Sequence, residues 1–229
     1  PLFIGTLKVT LVAVLFAIPL ALGAALFTSE FAPDRLKEFI KPVIELLAGI
    51  PSVVLGFFAL MVMASFVQET FGIVYRLNAI NAGIALGLAV IPIVYTVADD
   101  ALTAVPKSYR EASMAMGASP WQTAWRVVFP AALPGILAAC VLGFGRAIGE
   151  TMIVLMSSGN APIVSWALQK PVRTLSATIA AELGEVVVAS AHYHVLFFIG
   201  TCLFIFTFVL NMLAHWFVAR LQRKVLGTS

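Results

Sequence analysis

A basic and an acidic residue stand four positions apart inside one of the long apolar stretches of this sequence. Arg146 and Glu150 lie within residues 131–157, which are mostly apolar and rich in glycine. On a helix this spacing puts both side chains on one face, where they can form an ion pair. An arginine in the middle of a membrane span costs at least about 2.5 kcal/mol, so it faces a partner or a water-filled path. We predict either an ion pair that locks helix packing or, since the planar guanidinium suits an oxyanion, a site that binds an oxyanion.

A second candidate site is the amphipathic insert of residues 111–130, which separates two apolar stretches. Residues 112–116 favour a helix, Gly117 interrupts it, and Ser119 with Pro120 starts a second short helix with proline in its first turn. The pattern predicts a helix, a sharp bend and another helix, which together are rigid enough to transmit force from a partner protein. An ordinary helix on the membrane surface is the alternative.

The composition places most of the chain in or against lipid. Of its 229 residues, 61% are hydrophobic and only 11% are charged, and the mean hydropathy is +1.02. These values exclude a soluble domain, and a scattered net charge of +3 gives no indication of nucleic-acid binding. Cys140 and Cys202 lie in apolar stretches, where we interpret them as small core residues rather than as a disulfide or a metal site.

The apolar stretches predict an all-α integral membrane protein with about five transmembrane helices, since a span needs roughly 20 apolar residues. The expected spans are residues 2–27, 42–67, 79–98, 131–157 and 195–219. Pro51 predicts a kink or a break in the second span. In the third, Gly83 and Gly87 have the spacing that lets two helix backbones approach closely. Prolines, glycines and acidic residues interrupt residues 158–192, which predicts an external loop with a partial or re-entrant helix.

The positions of lysine and arginine set the expected orientation. Most of them fall on the side that holds the insert and the C-terminus, whereas the other side has only Lys8, Arg76, Lys170 and Arg173. We therefore expect the insert and the C-terminus to be cytoplasmic, and Pro1 and residues 158–192 to be external. The first apolar stretch does not look like a cleavable signal peptide. An external N-terminus also leads us to expect a further helix before Pro1 in the full-length protein.

The insert is similar to the EAA loop through which ABC importer permeases couple to their ATPase subunits. A glutamate, a glycine and an apolar-x-apolar-proline ending fall at the spacing of that loop, with mild departures at Ser113, Val127 and Phe129. The resemblance assigns a coupling role to Glu111, Ala112, Gly117, Ala118 and Pro130.

The chain also resembles the permease subunits of the bacterial phosphate-specific ABC importer, the C-type more than the A-type. Four stretches carry this resemblance: GTLKVTLVAVLFAIPLALGAALFTSEF at 5–31, IPSVVLGFF at 50–58, GRAIGETMIVLMSSGNAP at 145–162 and VRTLSATIAAELGE at 172–185. The third and fourth are much more specific than the EAA pattern, which indicates only an ABC importer.

The resemblance implies a type I ABC importer permease fold that translocates inorganic phosphate into the cytoplasm across the bacterial inner membrane. The implied partners are a second permease subunit, two ATPase subunits at the cytoplasmic face and an extracytoplasmic phosphate-binding protein. The resemblance also leads us to place four residues on the substrate pathway, namely Arg146, Glu150, Arg173 and Glu182. Because the sequence has no G-x-x-x-x-G-K-[ST] motif, we expect partner chains to bind ATP, and no catalytic residue, cofactor or metal in this chain.

Other functions stay open at this point. The chain could also be a permease for another oxyanion, such as molybdate or sulfate, because only the family resemblance of the local motifs favours phosphate over these substrates. An ion-coupled secondary transporter would use intramembrane carboxylates such as Glu45 and Glu150 together with broken helices, but no inverted repeat is visible. A structural membrane protein would not need Arg146 within a span. Copurification of an ATPase subunit would separate the ABC class from the last two.

Some polar residues have simpler interpretations. Asp99 and Asp100, at the end of the third span, either shape the cytoplasmic mouth or are simply solvated, and we expect the latter. His192 and His194 either face the extracytoplasmic binding protein or lie at the membrane interface without a specific role, and again we expect the latter.

Overall fold

A computed structural model describes residues 1–226, with side chains described up to residue 220. The described chain is mostly helical, and its helices are joined by non-helical segments. The α-helices are α1 (Leu2–Glu30), α2 (Asp34–Gly49), α3 (Ser52–Phe58), α4 (Ala64–Phe71), α5 (Ala79–Thr103), α6 (Lys107–Ala115), α7 (Pro120–Thr123), α8 (Phe129–Gly149), α9 (Met152–Ser157), α10 (Leu175–Glu182) and α11 (Ala191–Leu226). Two five-residue π-helical segments, Ala59–Met63 and Ala124–Val128, continue α3 into α4 and α7 into α8.

Within the described residues, five helices are long and apolar enough to cross a membrane. They are Leu2–Glu30, Ser52–Phe71, Ala79–Thr103, Pro120–Gly149 and Ala191–Arg220. The prediction of an all-α protein with about five spans is therefore confirmed.

The predicted second span, residues 42–67, begins at the wrong place. Helix α2 ends at Gly49, and the spanning helix starts at Ser52, after Pro51. Proline disfavours helical backbone at the residue before it, here Ile50, so the chain leaves the helix at this point. Helix α2 is a separate amphipathic helix with no buried residue, and Phe39 and Leu46 expose 68% and 74% of their surface. Such a helix is typical of a membrane surface.

The predicted fourth span, residues 131–157, is wrong at both ends. The helix runs without interruption from Pro120, in the insert, to Gly149. Glu150 and Thr151 lie outside any helix, and α9 starts at Met152. The Ser176 hydroxyl donates a hydrogen bond of 2.8 Å to the Glu150 carbonyl. This contact gives a partner to one of the carbonyl groups at the helix end.

The described chain forms two compact units, of which the first comprises Pro1–Ala17, Ile50–Val90 and Phe144–Asn211. In this unit α1 and α5 approach closely at two glycines. An added Cβ would lie 2.4 Å from Val12 Cγ1 at Gly83 and 2.7 Å from Phe16 Cδ1 at Gly87. Real Cβ atoms do not approach other atoms so closely, so the predicted close helix packing at these glycines is confirmed.

The first unit also holds the predicted partial helix, α10, at the end of a mostly non-helical segment. Gly159 and Val172 form an isolated parallel bridge that ties the two ends of this segment together. Thr174 caps α10 by accepting a hydrogen bond of 3.3 Å from the Ala177 amide. The Thr6 hydroxyl on α1 accepts one of 3.1 Å from the Leu175 amide. The start of α10 is thereby fixed to α1.

The second unit comprises Ile18–Gly49, Ile91–Gly143 and the chain from Met212 onward. An ion pair of 2.9 Å between Lys41 and Asp99 fastens α2 to α5. Asp99 is only 3% exposed, so the prediction that it is solvated is wrong, whereas Asp100 is exposed as expected. Gly135 on α8 packs against Ala101 on α5, since an added Cβ would lie 2.4 Å from the Ala101 Cβ.

Candidate functional site

The insert has the predicted shape of a helix, a bend and a second helix. Helix α6 ends at Ala115, and Gly117 has a φ of +87°, in the left-handed region that glycine adopts without strain. Ser119 then caps α7: its hydroxyl accepts a 3.2 Å hydrogen bond from the Gln122 amide, and the Gln122 side chain accepts one of 2.9 Å from the Ser119 amide. Pro120 follows at the first helical position. Local backbone and capping chemistry therefore set the bend.

Ser113, one of the departures from the EAA pattern, joins the two arms of the insert. Its hydroxyl lies 3.0 Å from the hydroxyl of Thr123, which is buried. An alanine at this position could not make the contact. The serine therefore adds a hydrogen bond across the bend.

An ion pair anchors the base of the insert. Arg110 on α6 donates to both carboxylate oxygens of Glu30 at the end of α1, at 2.7 and 3.0 Å, and also to the carbonyls of Leu102 and Val105. The side chains of Arg110 and Glu30 are 19% and 8% exposed. A paired guanidinium with this many partners holds its neighbours in a fixed geometry. Sequence reasoning missed the pair because its members are 80 residues apart.

The tip of the insert presents apolar side chains to its surroundings. Met116 is 88% exposed, Trp121 59% and Met114 46%. Of the residues predicted to couple to an ATPase, Glu111, Ala112, Gly117 and Pro130 are exposed and Ala118 is half-buried. Several large apolar side chains exposed on one short segment indicate a site for a partner protein or a membrane.

The predicted ion pair between Arg146 and Glu150 is wrong. Arg146 lies in the last turn of α8, and Glu150 follows the end of that helix, so the two do not share a helix face. Among the ion pairs of the described residues, all within 4.0 Å, none joins these two. Arg146 is exposed and Glu150 is half-buried. The guanidinium therefore stands at the end of a spanning helix rather than in its middle.

The other two residues predicted for the substrate pathway lie together in the first unit. Arg173 and Glu182 form an ion pair of 2.5 Å, and His192 Nε2 lies 2.7 Å from the second oxygen of Glu182. The hydrogen bond with His192 is the main cause that holds the pKa of Glu182 below its ordinary value, and the charge of Arg173 acts in the same direction. No sequence pattern links His192 to this pair, since it lies ten positions beyond Glu182 and outside α10.

Sequence reasoning also treated Lys8 only as a basic residue on the external side. The structure buries it within α1, at 2% exposure, and its ammonium donates to the carbonyls of Ser165 and Ala167 at 3.0 and 2.9 Å. Lys8 thus holds the non-helical segment that leads to α10.

Arg76, another of the residues expected outside, stabilises the first π-helical segment. It donates to the Leu60 carbonyl at 2.6 Å and to the Ser65 hydroxyl at 3.0 Å. A π-helical turn needs such partners because it breaks the regular ladder of backbone hydrogen bonds.

Comparison with known proteins identifies the family. A family model described as "Binding-protein-dependent transport system inner membrane component" matches residues 11–227. The chain belongs to this family. This chain is also similar to a Bacillus subtilis protein named "Probable ABC transporter permease protein YqgH", with 35% identity over 98% of this chain and 72% of that protein.

Relatives named as phosphate permeases match at similar levels. "Phosphate transport system permease protein PstC" of Mesorhizobium japonicum is 32% identical, covering 96% of this chain and 73% of its own. "Phosphate transport system permease protein PstC 1" of Mycobacterium tuberculosis is 35% identical, covering 99% and 73%. These matches confirm the resemblance to C-type phosphate permeases.

Solved structures with a similar fold are ABC importers. An inward-facing structure of the MetNI methionine ABC transporter matches with a TM-score of 0.74 and 20% identity, over 94% of this chain and 92% of that one. A bacterial ABC transporter for the import of alginate matches with a TM-score of 0.70 and 16% identity, over 94% and 77%. The prediction of a type I ABC importer permease fold is confirmed.

Proposed function

We propose that this chain is the permease subunit of an ATP-driven importer that moves inorganic phosphate into the cytoplasm. The observation that carries the proposal is the braced bend at Gly117, with Met116 and Trp121 exposed at its tip. A flexible loop would absorb the motion of a partner, whereas this insert has the rigidity and the surface to receive it. The relatives named as phosphate permeases support phosphate as the substrate.

In this proposal separate ATPase subunits dock on the insert and hydrolyse ATP, so this chain is not itself an enzyme. Force on α6 passes to the ends of α1 and α5, because Arg110 on α6 holds Glu30 and the Leu102 carbonyl at the same time. A second permease subunit completes the pathway, and an extracytoplasmic binding protein delivers phosphate to it.

The proposed substrate pathway uses Arg146, Glu150, Arg173 and Glu182. Arg146 is exposed at the end of α8 and forms no ion pair with another described residue, so its guanidinium can meet an oxyanion. The charge of Arg173 is balanced by Glu182. A pathway built this way attracts phosphate without a surplus of positive charge that would hold it.

Uptake of radiolabelled phosphate into proteoliposomes that contain the complete transporter tests this proposal. Arg146→Gln should reduce uptake at least about tenfold, because a hydrogen bond to a charged group contributes about 1.5–3 kcal/mol. Assembly and ATP hydrolysis should persist. Arg35→Gln, which removes an exposed arginine from α2, serves as the matched control and should transport normally. Uptake by Arg146→Gln at the wild-type rate would remove this residue from the pathway.

Competition identifies the substrate. Unlabelled phosphate should suppress the uptake of labelled phosphate, whereas molybdate and sulfate at the same concentration should not. If molybdate or sulfate suppressed uptake more strongly than phosphate, that oxyanion rather than phosphate would be the substrate, and the proposed coupling mechanism would be unaffected.

We further propose that the insert is cytoplasmic and the segment before α10 is external, as the asymmetry of basic residues indicates. In a variant without Cys140 and Cys202, single cysteines at Ser119 and at Lys170 should react with an impermeant reagent from opposite sides. Both positions are exposed in the structure. Labelling of both from the same side would exclude this orientation.

A further inference from the structure

A cavity of about 430 Å³ with several charged side chains in its lining lies in the second unit, beside the coupling insert. The ends of α1 and α5, one face of α2 and one face of α6 surround it. Its volume falls within the range of about 300–1,000 Å³ that is usual for small-molecule sites. Four cationic side chains and three carboxylates line it, so the lining carries a formal charge of 4 − 3 = +1.

Two of the cations already have strong partners. Arg110 is held by Glu30, and Lys41 lies 2.9 Å from Asp99. The hydrogen bond to Asp99 raises the pKa of Lys41, so Lys41 stays charged and stays with Asp99. The charges cancel within each of these two pairs, and both pairs form part of the cavity wall.

Lys37 and Lys107 are the remaining cations of the cavity. Lys37 donates a single long hydrogen bond of 3.3 Å, to the Ser29 carbonyl, and neither lysine has an ion pair within 4.0 Å among the described residues. The third carboxylate in the lining is Glu111, which is exposed to solvent. Two lysines from different helices therefore line one cavity with an incomplete set of partners.

The position of α2 indicates where a ligand would come from. Its exposed apolar residues Phe39, Val43 and Leu46 follow helical spacing on the side opposite Lys37, which lines the cavity. A helix with this pattern lies in the membrane interface with its apolar face toward the acyl chains. The lysine face is then turned to the protein and to water, within reach of both soluble anions and lipid headgroups.

We propose that this cavity binds a phosphoryl group between Lys37 and Lys107. A phosphate monoester or inorganic phosphate carries about −1.5 to −2 charges at pH 7, which matches two ammonium groups better than a monovalent anion does. Lysine binds phosphate as a point charge, so the site needs no fixed fork of donors. A bound phosphoryl group would bridge α2 and α6, and would thereby stiffen the base of the coupling insert.

Lysine footprinting on the purified complex, without ATP and without the binding protein, tests this site. The acetylation rates of Lys37 and Lys107 are measured by mass spectrometry in inorganic phosphate and in chloride of equal ionic strength. Both rates should fall by the factor 1 + [L]/Kd, about elevenfold when phosphate is at ten times its Kd. Lys170, an exposed lysine outside the cavity, should react equally in both solutions.

A second arm distinguishes the source of the phosphoryl group. The same rates are compared in nanodiscs of phosphatidylcholine with and without phosphatidic acid, a lipid whose headgroup is a phosphate monoester, in chloride. Protection by free phosphate alone assigns a soluble ligand, and protection by phosphatidic acid assigns a lipid headgroup. Absence of protection in both arms, or equal protection of Lys170, would overturn the proposal.

A pair of variants checks that both lysines act together. Lys37→Gln should abolish the protection of Lys107, whereas Arg35→Gln, a charge removed from the same helix outside the cavity, should leave it unchanged. Equal loss in both variants would mean that general surface charge, rather than the cavity, attracts the anion. Because footprinting needs no transport, its failure would not bear on the proposed import of phosphate.

Discussion

Replacing Gly117 by valine tests whether the bend in the insert is needed to couple ATP hydrolysis to transport. The φ of +87° belongs to a region that costs an ordinary L-residue about 1–2 kcal/mol, and more when the side chain is β-branched. An added Cβ would meet nothing within 4 Å, so the Cβ itself causes no clash and the main effect of the substitution is backbone strain. One to two kcal/mol shifts the ratio of bent to unbent insert by a factor of about 5–30.

We therefore expect the Gly117→Val complex to assemble in the membrane but to hydrolyse ATP with little phosphate uptake. The assay measures ATP hydrolysis and uptake in the same proteoliposomes and reports their ratio. Gly72→Val controls for strain, because Gly72 has a φ of +61° and open space around it but lies outside the insert. Gly49→Val, at an exposed glycine without a positive φ, controls for the added side chain. Wild-type coupling in Gly117→Val would refute the role assigned to the bend.

Two further predictions concern ion pairs. Arg110→Met should destabilise the chain by an amount toward the lower end of about 3–5 kcal/mol, because it leaves the buried Glu30 without a partner while water reaches a fifth of the Arg110 side chain. Thermal unfolding should show a lower midpoint, which the additional change Glu30→Gln should partly restore. An unchanged midpoint would contradict the anchoring role. Since the pKa of Glu182 is lowered in the folded state, its stabilising effect is present at neutral pH and is lost as the pH falls from about 4.5 through the lowered pKa. Below pH 4.5 the unfolding midpoint of the wild type should accordingly fall more steeply with pH than that of Glu182→Gln. The variant His192→Gln should show an intermediate slope. Identical slopes in all three proteins would rule out the contact between Glu182 and His192 as a source of acid sensitivity.

Local chemistry made the insert predictable from the sequence. Glycine at the bend, then serine and proline at the start of a helix, each act within a few residues, and the structure contains the corresponding φ angle and capping box at Gly117 and Ser119. The close approach at Gly83 and Gly87 was predictable for a similar reason, since small residues on one helix face admit a neighbouring backbone.

The end of α8 could not be predicted in this way. No proline follows Gly149, and an apolar run resumes at Met152, so hydropathy alone continues the span. A hydrogen bond from Ser176, 26 residues further along the chain, gives the Glu150 carbonyl its partner. The error about the Arg146 and Glu150 pair follows directly, because the assumption of one continuous helix placed both residues on one face.

The buried Lys8 has a consequence for biosynthesis. The carbonyl groups that receive its ammonium belong to residues 157 and 159 positions further along the chain. At about 5–20 residues per second, a ribosome needs roughly 8–30 s to make the residues between them. Through that interval α1 is in the membrane with a charged residue that lacks its final partners, and the flexible lysine stem must carry the ammonium to the water interface. Helix α1 is thus made well before it reaches its final environment.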